Sequence, residues 1–380
     1  MDDTALFDSI VTANKLGARF DGSRTPTHAA DVERFTQRAR DIISSAVPKF
    51  GGLSGIFVAV IEDPEFNAWA TRVKDVDEDR YKYFIGIHGG LLTIVNFVVN
   101  RMLADPRTFP NIGEPKGERE NLPVFSKLTT NAAECNLVPV RPQDWRRELY
   151  AAHLSHLVFD FIAAHEVTHI GHGHVGYTDA ECGLPFVRER RWLEGTPEGN
   201  LESLSMEMDA DFKAAELAIL NVRRLVAMRD QLPKERAEFY SDPARAIFDV
   251  AAAISIQSRM FGDTRLSLKG MATEDHPPNS WRQLMVLNVM GNYAEQIWGE
   301  GVGAAVMASI NRAITEVEEA IERLTGRPQQ VQGLRDVWHG EGWDYAAAVT
   351  GCWNSKLRAK LAKYAFVEPP LSYPFDRPAH

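Results

Sequence analysis

Two histidines one helical turn apart, with a glutamate beside the first, form the pattern in this 380-residue chain that most directly suggests chemistry. The motif is His165-Glu166-Val167-Thr168-His169, and apolar residues precede it at steps of three and four. Both imidazoles would therefore lie on the buried stripe of one helix, where they can chelate a single ion. Glu166 is rotated by about 100° from His165 and would stand beside that ion as a base. The motif predicts a zinc site; the competing interpretation is a buried helix whose histidines are satisfied by hydrogen bonds.

The motif leaves open the third protein ligand that a catalytic zinc ion usually takes. The metzincin spacing would need glycine at position 172 and histidine at 175, but the chain has His172 and Val175, which excludes that class. His172 follows His169 by three residues and is an alternative ligand, although three ligands from one continuous helix have poor geometry.

Two carboxylates one turn apart on a later predicted helix, Glu207 and Asp211, are the better source of that ligand. They lie among apolar residues, so they would face a buried stripe. Glu207 is predicted to complete the zinc ligands. Asp211 is predicted to accept the free ring N–H of a ligand histidine and to fix its tautomer. The competing interpretation is a solvated acidic patch, because Glu202 and Asp209 are near neighbours.

The elements that must position these residues follow from hydrophobic periodicity and turn signals. The predicted strands are 55–61, 67–73 and 81–92, and the predicted helices are 26–47, 93–104, 144–174, 200–230, 242–261, 278–297, 301–325 and 343–365. Residues 105–143 contain many prolines and glycines without periodicity and are predicted to be a loop-rich insertion. The sequence thus predicts an α+β protein that is predominantly α-helical, with a small sheet beside the motif helix.

Composition and charge limit the functional classes. The chain is 44% hydrophobic and 25% charged, with a net charge of -10 that gives no reason to expect nucleic-acid binding. Its three cysteines lie far apart and suggest neither a disulfide framework nor a thiolate zinc site. The most apolar stretch, Tyr83 to Leu103, is interrupted by polar residues, and the start lacks the features of a secretory signal. We therefore expect a cytoplasmic protein with no nucleic-acid partner and no membrane span.

Several fragments, in the same order, resemble the gluzincin zinc metallopeptidases of the HtpX and CAAX prenyl protease type. The H-E-x-x-H motif is followed by E-x-x-x-D at Glu207 and Asp211. Residues 67–70, NAWA, and 87–92, IHGGLL, are similar to the family's N-A-F-A segment and to its strand ending in G-L-L. His174 matches the histidine that ends the family's extended motif. The resemblance implies a zincin-like catalytic core around zinc.

A further fragment, Glu274 to Arg282, resembles the T-H-P-P-x-x-x-R segment that lies downstream of the family's glutamate ligand. This resemblance implies that His276 approaches the zinc and helps to stabilise the tetrahedral intermediate. A proline at 277 or 278 in the N1 position of a helix would hold His276 at the mouth of the site. The competing interpretation is a helix start with an incidental histidine.

The chain also departs from that family, in its long connection between Leu92 and His165 and in its lack of membrane helices. The long connection suggests a remodelled substrate region. The lack of membrane helices suits a second resemblance, to the soluble Lit-type phage-exclusion peptidases, which share the general layout and cleave a host protein. We divide the chain into an N-terminal helical segment, a zincin-like domain with its insertion, and a C-terminal helical region: residues 1–50, 51–300 (with 105–143 inserted) and 301–380.

Together these observations predict a zinc-dependent endopeptidase of a cytoplasmic protein substrate, with Glu166 as general base and His276 as a further catalytic group. The strand 81–92 is expected to be an edge strand that pairs with the extended substrate. One alternative is a Lit-like defence or toxin-type effector protease that stays inactive until a trigger or a regulatory partner releases it. The other is a non-catalytic binding module that the metal stabilises.

Overall fold

The computed structural model describes residues 2–23, 26–49, 53, 55–75, 79–183, 186–188, 197–261, 277–330, 337 and 340–373. Within these ranges the protein is predominantly helical and contains one small sheet, which confirms the predicted balance of elements. No helix in the described part of the chain is both long and apolar enough to cross a membrane.

The sheet has four strands: β1 (Ile56–Ile61), β2 (Ala68–Asp75), β3 (Arg80–His88) and the short β4 (Phe186–Arg188). Their order is β1-β3-β2-β4; β1 runs parallel to β3, while β2 is antiparallel to both β3 and β4. The prediction that the strand at 81–92 is an edge strand was wrong, because β3 pairs on both sides. Its residues from Tyr83 to His88 are all buried, and a continuous apolar run of this kind is typical of an internal strand.

Alternation along the strands gives the sheet two covered faces. Trp69 and Phe84 face a small cluster with helix α1 (Asp3–Ala13), where the ring of Phe7 stacks on Trp69 at 5.5 Å between centroids. The neighbouring residues Ala70 and Ile85 point into the main core. Helix α4 (Trp145–Gly171), which carries the motif, packs against β2. The sheet is therefore the wall that supports the motif helix.

Helix α3 (Gly89–Leu103) begins earlier than the predicted residue 93 because its two leading glycines do not interrupt it. A Cβ atom on Gly90 would lie 1.9 Å from the carbonyl oxygen of Pro64. The glycine thus permits a close backbone approach at the start of the helix. From the sequence alone, a glycine that is needed for close packing looks the same as one that marks a turn, so the helix was predicted to start too late.

One buried side chain at the start of α4 holds the first part of the insertion that follows α3. The insertion has little regular structure beyond short 3₁₀ turns at Pro115–Gly117 and Ala132–Glu134. Arg147 is wholly buried, and its guanidinium donates hydrogen bonds of 2.7–3.1 Å to carbonyl oxygens at the start of the insertion. The acceptors belong to Leu103, Asp105, Thr108, Phe109 and Ile112. Arg147 therefore fixes this loop against the motif helix.

The remaining helices surround α4. They are α2 (Pro26–Ala46), α5 (His174–Cys182), α6 (Pro197–Ala227), α7 (Lys234–Ala237), α8 (Pro243–Met260), α9 (Asn279–Trp298), α10 (Glu300–Thr325), α11 (Glu341–Cys352) and α12 (Arg358–Leu361), with a π-helical turn at Trp353–Leu357. Helices α2, α3, α6 and α8 all pack on α4. The predicted helix 144–174 ends sooner, at Gly171, and the predicted helix 343–365 is divided by the π-turn.

Residues 362–373, which we call the C-terminal strap, cross the end of the motif helix. The backbone N–H groups of Phe366 and Val367 donate to the carbonyl oxygen of Gly171, at 2.8 and 3.1 Å. Gly173 next to it has φ +84°, and a Cβ there would lie 2.6 Å from the backbone nitrogen of Ala365. Glycine is needed at this position both for its conformation and for the space that the strap occupies.

Candidate metal centre

The motif lies in the most enclosed part of helix α4. The helix starts at Asp144, whose side chain accepts hydrogen bonds from the backbone nitrogens of Arg146 and Arg147. Every residue from Phe161 to Gly171 is buried. The two motif histidines therefore lie between α4 and its neighbours, as their inward spacing indicated.

Glu207 of helix α6 meets both histidines. Its carboxylate oxygens lie 3.3 Å from His165 Nε2 and 3.5 Å from His169 Nε2, and the two Nε2 atoms are 2.9 Å apart. All three side chains are buried. A tetrahedral zinc ion, with bonds of about 2.0–2.2 Å, separates its ligand atoms by roughly 3.4 Å. Two imidazoles and a carboxylate at these spacings form a group that could hold a metal ion, and their donor types are those that zinc takes.

Asp211 supports this site from one turn further along α6. Its Oδ1 lies 2.9 Å from His165 Nδ1, the ring nitrogen that faces away from Glu207. Arg282 of α9 forms a fork on the same carboxylate, with Nε 2.7 Å from Oδ2 and Nη2 2.8 Å from Oδ1. A carboxylate held in this way fixes the tautomer and the orientation of a ligand histidine.

The competing interpretation of a solvated acidic patch on α6 is wrong. Glu202 is 6% exposed, Asp209 0% and Asp211 2%. The helix is enclosed on all sides here, which its local sequence could not show, since four carboxylates in ten residues are usually on a solvated face.

Burial and the neighbouring carboxylates shift the pKa values of the two motif histidines in opposite directions. Burial opposes protonation of His165, but Asp211 and Glu207 outweigh it and raise the pKa of that ring well above its usual value. Burial lowers the pKa of His169 well below its usual value. Burial also opposes ionisation of Asp211, yet Arg282 and His165 hold the pKa of its carboxyl below the usual range. An anionic carboxylate pair around two imidazoles is an environment suited to a divalent cation.

Arg282 gives a testable consequence for stability. Arg282→Gln should lower the free energy of unfolding by about 2–3 kcal/mol, because it removes the ion-pair partner of a buried carboxylate while His165 remains in contact. Chemical denaturation measures the change. The control is Lys127→Gln, which removes an exposed pair with Glu134 and should cost less than about 1 kcal/mol. Equal losses in the two variants would contradict a structural role for the fork.

Glu166 lies on α4 between the two histidines in sequence and is 2% exposed. Helical geometry turns its side chain by about 100° from that of His165. Burial of a carboxylate at this place suits the role of general base that the motif predicts.

His172, the alternative third ligand, belongs to a different cluster. Its Nδ1 lies 2.6 Å from Asp209 Oδ2, and His174 Nε2 lies 3.1 Å from the same oxygen. Asp209 was missed as a functional residue by sequence reasoning, because it lies on the side of α6 opposite Glu207 and Asp211. The sequence did contain one signal for such a residue, the two histidines on either side of Gly173. If both histidines are buried, their ring nitrogens need a hydrogen-bond acceptor nearby.

His276, the predicted additional catalytic residue, lies outside the described residues. The neighbouring Pro278 is described, and it occupies the position just before α9 rather than the predicted first helical position. Proline fits there because its φ of -53° is compatible with the approach to a helix and its missing N–H leaves no unsatisfied donor.

No protein-family model matches this chain, and no curated protein or solved structure matches it significantly. The likeness to gluzincin peptidases therefore depends on the quoted sequence motifs alone.

Proposed function

We propose that the protein is a zinc-dependent endopeptidase with a zincin-like core built from α4, α6 and the sheet. The observation that carries the proposal is the convergence of His165, His169 and Glu207, with Asp211 behind the first histidine and a buried Glu166 next to it in the motif. Zinc held by these ligands would supply a Lewis acid that activates a water molecule and polarises a peptide carbonyl.

The chain's own residues then have separate roles. Glu166 accepts a proton from the attacking water and delivers it to the leaving amine. Asp211 keeps the Nδ1 proton of His165 in place, so that Nε2 of this ring presents its lone pair to the ion. Arg282 holds Asp211 ionised and oriented. His276 remains our proposed group for additional stabilisation of charge on the substrate.

The substrate class we propose is a cytoplasmic protein. Backbone pairing to β3 is not part of the proposal, since β3 is internal to the sheet.

The Lit-like alternative, an effector protease held inactive until triggered, is favoured by one observation. His165, Glu166, His169 and Glu207 are only 1–2% exposed, so a peptide must gain access through a local opening before it reaches them. A regulatory partner or a chemical trigger would act by favouring that opening.

Glu166→Gln should abolish proteolysis while leaving zinc content and the unfolding transition unchanged, because the amide cannot accept the proton of the attacking water. The measurement compares new protein N-termini, by mass spectrometry, in cells expressing the wild type or the variant, together with the zinc content of the purified proteins. The matched control is Glu148→Gln, an exposed position on the same helix, which should cleave as the wild type does.

Identical sets of N-termini in cells with the wild type and with Glu166→Gln would refute a constitutively active peptidase. If zinc were bound and its removal lowered the unfolding temperature while neither protein cleaved anything, the metal-stabilised binding module would be the better assignment.

A further inference from the structure

The carboxylate of Asp209 is a second buried acceptor close to the proposed zinc site. Helix α6 places it at 0% exposure, and three polar groups surround it, two from the segment just after α4 and one from the C-terminal strap. His172 Nδ1 lies 2.6 Å and His174 Nε2 lies 3.1 Å from Oδ2, while the hydroxyl of Tyr373 in the C-terminal strap donates to Oδ1 at 2.5 Å. So many donors leave Asp209 no freedom to rotate.

One of these three donors also touches a proposed zinc ligand. His174 Nδ1 lies 2.9 Å from His169 Nδ1, and His169 directs its other nitrogen, Nε2, toward His165 and Glu207. The contact is direct and completely enclosed, since His169 is 1% and His174 0% exposed. The order of contacts is therefore Asp209, His174, His169 and then the metal position.

Only one arrangement of protons satisfies every contact when a metal is bound. His169 Nε2 must be unprotonated to serve as a ligand, so its proton is on Nδ1 and is donated to His174 Nδ1. His174, accepting at Nδ1, carries its own proton on Nε2, the nitrogen that lies 3.1 Å from the Asp209 carboxylate. An ionised carboxylate at the end of this chain selects that arrangement, because it can only accept.

We propose that Asp209 is a positioning residue that acts through His174 to fix the tautomer and the ring orientation of the zinc ligand His169. The inference rests on the metal site in the proposed function and extends its support to the second histidine. Asp211 does the same for His165 by direct contact, so α6 would supply one supporting carboxylate for each motif histidine.

The local fold makes this arrangement possible. Helix α4 ends at Gly171, and the left-handed Gly173 turns the chain so that His172 and His174 both reach Asp209. The strap closes the cluster through Tyr373, whose ring packs on Trp353 at 5.5 Å between centroids. The zinc site would thus depend on contacts made by residues near the C-terminus.

The chain offers a matched pair of substitutions that tests the relay in the full-length zinc-loaded protein. His174→Phe and His172→Phe each remove one donor to Asp209 from an equally buried position, but only the first breaks the contact with His169. We expect His174→Phe to weaken zinc binding by about 10-fold or more, and His172→Phe to change it by less than about twofold. Competition with a chromophoric chelator measures the affinities.

A conservative variant and a spectroscopic signature separate positioning from general structural damage. In His174→Gln the amide oxygen can accept from His169 and the amide N–H can donate to Asp209, so zinc affinity should return to within about threefold of the wild type. NMR of histidine rings labelled with nitrogen-15 should show the proton of His169 on Nδ1 in the wild type and in His174→Gln. In His174→Phe that Nδ1–H signal should shift or broaden, since its acceptor is lost.

Equal loss of zinc affinity in His172→Phe and His174→Phe, or no loss in either, would overturn the relay. Two zinc ions per wild-type chain, with the second absent from His172→Phe, would overturn it in favour of a second metal site at His172, His174 and Asp209. A wild type that binds no zinc would refute the proposed metal centre as well. Absence of cleavage with the predicted affinities would refute only the peptidase, because neither readout requires catalysis.

Discussion

Glu207→Ala should weaken zinc binding by at least about 100-fold. Loss of a group that merely supports a ligand costs 10–100-fold in metal affinity, and Glu207 would be lost as a ligand itself. The carboxylate of Glu207 lies 3.3 Å from His165 Nε2 and 3.5 Å from His169 Nε2, so it is the group on α6 placed to share an ion with both motif histidines. Zinc content after dialysis and competition with a chelator give the measurement.

Two substitutions control for the loss of a side chain near the site. Glu202→Ala removes another buried carboxylate of α6, which contacts Tyr177 and Lys360 instead of the motif. His172→Ala removes the alternative third ligand. Both should keep zinc affinity within about threefold of the wild type. If His172→Ala lost zinc and Glu207→Ala retained it, our ligand assignment would be reversed.

Arg147→Met should lower the free energy of unfolding by about 4–5 kcal/mol. The substitution keeps an apolar side chain of comparable length but removes a buried cation and its five hydrogen bonds, which leaves carbonyl oxygens of residues 103–112 without their donor. Because the marginal stability of a domain is only about 5–15 kcal/mol, much of the protein is expected to unfold at moderate temperature. Urea denaturation of the purified variant measures the change.

Arg146→Met is the matched control for that substitution. Arg146 is the preceding residue on the same helix and is exposed, so its replacement should change stability by less than about 0.5 kcal/mol. A similar small change in Arg147→Met would show that water replaces the guanidinium at little cost and that the insertion is held by other contacts.

Helix α4 makes important contacts at both of its ends. At the start of α4, Arg147 organises the loop that separates the sheet from the motif helix; at its end, the motif histidines meet α6. The long connection between the sheet and the motif is thus anchored by the motif helix itself.

The amino-acid sequence by itself determined the helix that carries His165, Glu166 and His169, because helical periodicity is local and places residues four apart on one face. Periodicity and turn signals also predicted most of the helices and the small sheet, with the ends of elements displaced where glycines serve close packing, as at Gly90. Glu207 and Asp211 could be selected as candidates for the same reason, as two carboxylates one turn apart.

Tertiary structure alone decided which side chains meet. The internal position of β3, the fork of Arg282 on Asp211 and the burial of Asp209 all depend on contacts between elements that lie far apart in the chain. Local sequence carries no information about what covers the side of α6 opposite Glu207 and Asp211. Asp209, which lies on that side, could therefore be taken for a surface residue. Packing of α4, α6 and the C-terminal strap instead encloses it with His172, His174 and Tyr373.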